Sequence, residues 1–225
     1  MEKFLSNPVF GILVYISTYA LGCWIKGKVK SNLFNPLVFA ATFVILLILF
    51  TPLTLEALQA GGSIITLFIA PATICLALRI HQQWDLLKTD FLPVLVGCFV
   101  GSAAAIGSIW GMCRIFLIDE TITASLLPKS VTTAIAIELS EKVGGIGAIT
   151  LTAVVFTGIL CSLVSPLLLK LLKLKDPVST GVAFGVSGHA VGTSRALEIG
   201  DTQGAMGGIS LCLAGIITSI LFLFF

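Results

Sequence analysis

Between Pro177 and Asp201 the chain reads PVSTGVAFGVSGHAVGTSRALEIGD, and within it Ser187, His189, Thr193, Ser194, Arg195 and Glu198 crowd three kinds of chemistry into a few helical turns. An imidazole accepts or donates a proton near neutral pH. A guanidinium holds a carboxylate through a two-pronged fork, and hydroxyls fill the remaining hydrogen bonds. On a helix His189 and Thr193 share a face, as do Ser194 and Glu198, while Arg195 and Glu198 are spaced to pair with each other. The same residues admit a plainer reading, in which the histidine is a satisfied structural group and Arg195–Glu198 a local ion pair. Gly181, Gly185, Gly188 and Gly192 recur at about the interval that lets helices approach closely, so Gly188 and Gly192 are read as structural.

A second polar stretch is Leu126-Leu127-Pro128-Lys129-Ser130-Val131-Thr132-Thr133-Ala134. Proline favours the start of a helix, which would put Ser130, Thr132 and Thr133 in the first turns beside unpaired backbone N–H groups. With the Lys129 ammonium, such a positive helix end is a seat for a small anion. The alternative is that the hydroxyls satisfy nearby carbonyls and Lys129 reaches back to the membrane surface. Asn35-Pro36 is a third candidate, and Pro71 is expected to kink or break its helix.

These stretches are unusual because of what surrounds them. Mean hydropathy is +1.10. Hydrophobic residues make up 57% of the chain and charged ones 11%. The charges cluster and leave six uncharged runs, at 4–25, 31–55, 57–78, 91–113, 143–169 and 202–225. Each is long enough to cross a bilayer, which takes about 20 residues as a helix. None alternates polar and apolar residues as a membrane β-barrel requires. The predicted class is therefore an all-helical, polytopic membrane protein forming one integral domain over 1–225. The first run lacks a cleavage pattern and is read as a retained helix. Nothing in the charge pattern suggests nucleic-acid binding. The six cysteines stand singly in apolar segments, without disulfide or metal-site spacing. No cofactor is implied, and no nucleotide loop or hydrolytic triad points to an enzyme.

Lysine and arginine favour the cytoplasmic side. Lys26, Lys28 and Lys30 set the first loop inside, and Lys170, Lys173 and Lys175 fall inside only if 121–142 dips into the membrane and returns. The 177–201 stretch is then able to do the same from the other side. About six full spans plus two broken or re-entrant elements result, with eight full crossings as the alternative. A faint echo between Pro71–Ala77 and Pro128–Ala134, and between Gly147–Leu151 and Gly207–Leu211, allows an inverted repeat.

Leu127–Thr133 with its following Ala-Ile run, Gly144-Gly145-Ile146, and Gly188–Ala196 with Glu198 resemble the LrgB/CidB family over essentially the whole chain, including Asn35-Pro36-Leu37 and Pro71-Ala72-Thr73. That family includes YohK-type bacterial inner-membrane proteins and the C-terminal half of the plastid glycolate/glycerate translocator. Ala134 stands where many members have a second proline, implying a milder bend. The resemblance implies a multi-pass protein of the bacterial cell membrane with one of two functions. One is carriage of small monocarboxylates such as pyruvate, glycolate, glycerate or lactate. The other is antiholin- or holin-like control of murein hydrolases and lysis. The resemblance implies an LrgA/CidA-type membrane partner, and a homo-oligomer is expected. A carrier needs an anion-binding helix end and a fixed positive charge, which the two stretches supply; a lytic pore has no use for them.

Overall fold

The computed structural model describes residues 8–29, 34, 36–51, 55–68, 71, 74–75, 78, 81–82 and 84–225. The described residues are helical with short connections, and they divide into two compact units, Met1–Cys75 and Leu76–Phe225. Four helices, Pro8–Val29, Lys88–Ile115, Gly147–Leu171 and Asp201–Phe224, are long and apolar enough to cross a membrane. The protein is a multi-pass membrane protein.

The first unit holds α1 (Pro8–Val29), α2 (Pro36–Phe50) and α3 (Leu55–Thr66). Val14 and Leu58 form its core, with Phe10, Tyr15, Val44, Leu47 and Ile48 packed around them. Gly61 lets α3 cross α1 closely, since a methyl there would come within 2.7 Å of Ile12 N and Pro8 O. Asn35 lies outside the described residues. Pro71 is exposed and helical, but residues 69–70 and 72–73 on either side lie outside the description, and so does the kink expected there. The described helices cover only part of the 31–55 and 57–78 runs.

The second unit holds α4 (Trp84–Ile115), α5 (Glu120–Leu126), α6 (Thr133–Lys142), α7 (Gly147–Leu171), α8 (Pro177–Ile199) and α9 (Asp201–Leu221), with a 3-10 turn at Phe222–Phe224. Helix α4 is non-helical at Asp90, just before Pro93, whose ring excludes the carbonyl one turn back. Asp119 caps α5 by accepting from Thr121 N at 2.8 Å, and Asp176 caps α8 by accepting from Ser179 N at 2.7 Å. Those hydrogen bonds hold both connecting-loop carboxyls below the usual carboxylate range. Helix α9 is the central post. Val94 and Cys98 of α4, Val186 of α8, and Met206, Ile209, Ala214 and Ile217 of α9 form the main core.

Helices α5 and α6 are the arms of a hairpin. Ser125, near the end of α5, accepts from Ile146 N just beyond α6 at 2.7 Å, and Leu127 packs in one cluster with Leu139 and Val143. Contacts between residues placed about two turns on either side of Thr132 require the chain to reverse there. Thr150 of α7 ties the same base by donating to Ser140 at 2.7 Å. The sequence places a helix start at Pro128, whereas the structure has two tight turns, Lys129 N to Leu126 O and Val131 N to Pro128 O, and starts α6 at Thr133 with Thr132 as the cap. The proline stops α5 rather than starting α6.

Helix α8 reverses too. His189, at φ 43° and ψ −134°, interrupts it in a conformation strained for a side-chain-bearing residue. A methyl on Gly192 would overlap the Phe184 carbonyl, which in an uninterrupted helix would lie about two turns away. Gly207 of α9 faces both arms at once, lying against Gly181 of the first and Thr193 and Ala196 of the second. The two hairpins have their bases at opposite ends of α7, one beside Gly147 and the other after Leu171, about 37 Å apart at helical rise. Reagents added to one side of the membrane are therefore expected to modify single cysteines at both Glu120 and Lys142. Labelling of these two positions from opposite sides would restore a crossing element.

Candidate functional site

The two hairpin tips converge on one turn of α7. Val131, at the first tip, packs in a cluster with Val154. His189, at the second, is buried and hydrogen-bonds through Nε2 to the Val154 carbonyl at 2.8 Å. Gly158, one turn further along α7, is what admits the ring, because a methyl there would sit 2.7 Å from His189 Cε1. Two helix beginnings face this place, that of α6 at Thr133 and that of the second arm of α8 after His189. Each leaves backbone N–H groups unpaired and carries a partial positive charge.

Beside the tips runs a groove of about 1180 Å³ along α7, from Ala148 to Leu172. Lys129 and Ser187, one from each tip, both line it, and Lys129 is its one charged wall residue among the described residues. Lys129 is half-buried and donates to Ser130 at 3.4 Å. Thr157 and Cys161 of α7 share the groove, and Cys161 Sγ lies 3.4 Å from Ser187 Oγ. Phe156, Leu160 and Phe184 make much of the rest apolar.

Val131 and His189 thus meet at Val154, with Pro128, Lys129, Ser130, Thr132 and Thr133 forming the first tip and Ser187 lying just before the second, against Cys161. Thr132 and Thr133 are half-buried at the start of α6. The other candidates fall elsewhere. Thr193 donates to the His189 carbonyl at 2.9 Å and Ser194 to the Ala190 carbonyl at 3.0 Å, so both hydroxyls serve their own helix. The face expected of His189 and Thr193 does not form, because the break at His189 turns its ring toward α7.

Arg195 pairs with Glu198 along the second arm. Its Nε is buried without a partner among the described residues. Arg195→Gln is expected to lower the melting temperature, since it leaves a partly covered carboxylate facing a lost cation. Arg195→Gln with Glu198→Gln should recover most of that loss in a thermal unfolding assay. A single mutant as stable as the parent would show that the pair does no structural work.

Of the glycines, Gly181 and Gly185 face α9 at the backbone of Gln203 and Gly207, while Gly188 makes room for Cys161 and Gly192 for Phe184. Their close packing is spent inside one subunit. Sequence reasoning did not single out Gly158, Cys161 or the Val154 carbonyl, and no local signal marks them: each is ordinary in an apolar helix until the tips arrive.

Comparison with known proteins fits this arrangement to a family. Residues 16–225 match the LrgB-like family. The chain is 34% identical to "Antiholin-like protein LrgB" of Bacillus subtilis (strain 168), over 97% of this chain and 94% of that protein. It is likewise 34% identical to proteins of the same name from Bacillus mycoides (strain KBAB4) and Bacillus cereus (strain B4264), over 95% of this chain and 94% of each. No solved structure matches. With the match running through both hairpins and across nearly the whole length of these relatives, the chain belongs to the LrgB-like family.

Proposed function

We propose that the protein carries small monocarboxylates across the bacterial cytoplasmic membrane, working with an LrgA/CidA-type partner in an oligomeric assembly. The observation that carries this reading is the convergence of two hairpin tips, based at opposite ends of α7, on Val154 beside a groove whose one charged wall residue among the described residues is Lys129. Moving a carboxylate into a low-dielectric interior requires replacing its hydration with fixed positive charge and donors. The Lys129 ammonium and the N–H groups at the start of α6 supply these, with Ser130, Thr132 and Thr133 as hydroxyl partners, while the Ser187 hydroxyl donates to the Ala183 carbonyl of its own helix. The apolar walls suit a substrate whose body is a short carbon chain. Opposed hairpins provide alternating access, each tip opening toward its own side while the other stays closed. His189 would take the coupling proton. Lys129, rather than the paired Arg195, holds the anion. No catalytic step is assigned, and the protein is read as a carrier and not an enzyme.

The names of the relatives favour a second reading, an antiholin-like regulator of murein hydrolases and lysis. Liposomes containing the pure protein separate the two. A carrier gives saturable uptake of one labelled carboxylate from a panel of pyruvate, lactate, glycolate and glycerate, competed by its analogues, with sucrose excluded. Indiscriminate leakage of dye and sugar would overturn the carrier reading. Cys161 gives a second readout: with the other five cysteines replaced, substrate is expected to slow its alkylation by a soluble maleimide.

A further inference from the structure

Behind the first tip, on the side of the Lys129–Ser130 turn away from α7, lies a small internal cavity of about 10 Å³, room for one water-sized occupant. Its polar walls are hydroxyls from three separate elements: Ser102 of α4, Ser130 of the turn and Thr218 of α9. Ser102 is 3% exposed, and its Oγ is buried with no hydrogen-bond partner among the described residues. A buried hydroxyl left unpaired is costly, so its persistence points to an occupant. Leu127 and Pro128 add the backbone at the end of α5, where the Pro128 carbonyl accepts from Val131 N at 3.3 Å and keeps its second lone pair, and Val186 and Ala214 close the rest.

We propose that this cavity is a sodium site coupled to the anion site, an inference that rests on the carrier reading and adds a coupling cation to the proton assigned to His189. Neutral hydroxyls and carbonyls at a helix break are the donor set that transporters use for sodium. Ser130 is the shared wall: its hydroxyl takes the Lys129 hydrogen bond, and the residue also lines the cavity. The ammonium one hydroxyl away repels a cation while the groove is empty. A carboxylate on Lys129 cancels that repulsion, so anion and sodium each favour the other's binding, reciprocally. The arrangement makes transport of a lone anion or a lone cation unfavourable.

The test is thermal unfolding of the purified full chain in nanodiscs at fixed ionic strength in sodium, potassium or choline chloride, titrated with glycolate and, separately, pyruvate. The expected result is an apparent carboxylate affinity about tenfold higher in sodium than in choline or potassium. Ser102→Ala and Thr218→Val should each erase that difference and leave the affinity in choline as it was. Ser102→Ala removes only an unpartnered hydroxyl, so folding is not at risk. Equal affinity in the three salts, or a sodium effect that survives both substitutions, would overturn the proposal and leave the cavity to a water. If neither acid binds in any salt, the carrier reading fails by itself, and the sodium site is judged on Lys129→Met without an acid. There the repelling charge is gone, and a sodium-specific rise in melting temperature that disappears in Lys129→Met with Ser102→Ala supports the site. No rise in Lys129→Met sinks it.

Discussion

Lys129→Gln is expected to abolish saturable carboxylate uptake while the protein still assembles in the membrane. Lys129 is the one charge in the groove among the described residues, and it belongs to the first of the two tips that meet at Val154. A hydrogen bond to a charged partner contributes about 1.5–3 kcal/mol, so its loss lowers affinity about ten- to hundredfold. The cost rises further because the carboxylate would then be desolvated without a counter-charge. Lys129→Arg keeps the charge but adds bulk and a planar fork at a tight turn, so partial uptake is expected. The measurement is uptake into liposomes with the parent and variants at matched incorporation. Unchanged uptake by Lys129→Gln would remove Lys129 from the site and, with it, the anion-binding role of the first hairpin.

Gly192→Val should have the largest effect on the fold. A methyl at Gly192 already overlaps the Phe184 carbonyl across the reversal in α8, and backbone on one side cannot yield. Overpacking of this kind costs about 1–3 kcal/mol when neighbours are able to shift, and here the arms must part. Parting them moves His189 off the Val154 carbonyl, so transport is expected to fall with stability. Gly27→Val is the control, because a side chain there meets nothing within 4 Å. Thermal unfolding and uptake should both separate the two variants, and a Gly192→Val protein as stable and active as Gly27→Val would refute the hairpin at His189.

Much of this protein was legible in the sequence where the determinants are local. Uncharged runs long enough to span hydrocarbon dictate helices, because backbone polar groups in lipid must be satisfied within the segment. Pro128 and the glycines of 177–201 mark two of the places where a helix is interrupted, and lysine placement favours a first element that turns back. Determinants that depend on a distant partner were not legible. Pro128 had to be seen ending α5 before α6 could be placed at Thr133. The sharp reversal at His189, and the division of labour among Gly181, Gly185, Gly188 and Gly192, depend on α7 and α9 lying alongside. Three spaced residues leave Arg195 free to bind either Glu198 or a substrate; packing along the second arm chose Glu198. Ser102 gave no signal at all, since a serine in an apolar helix has the same spacing whether its hydroxyl meets its own carbonyl or an internal cavity. Helix and break are properties of a few consecutive residues and their solvent. Which tips meet, and around what, is fixed only when segments far apart in the chain compete for the same space on α7.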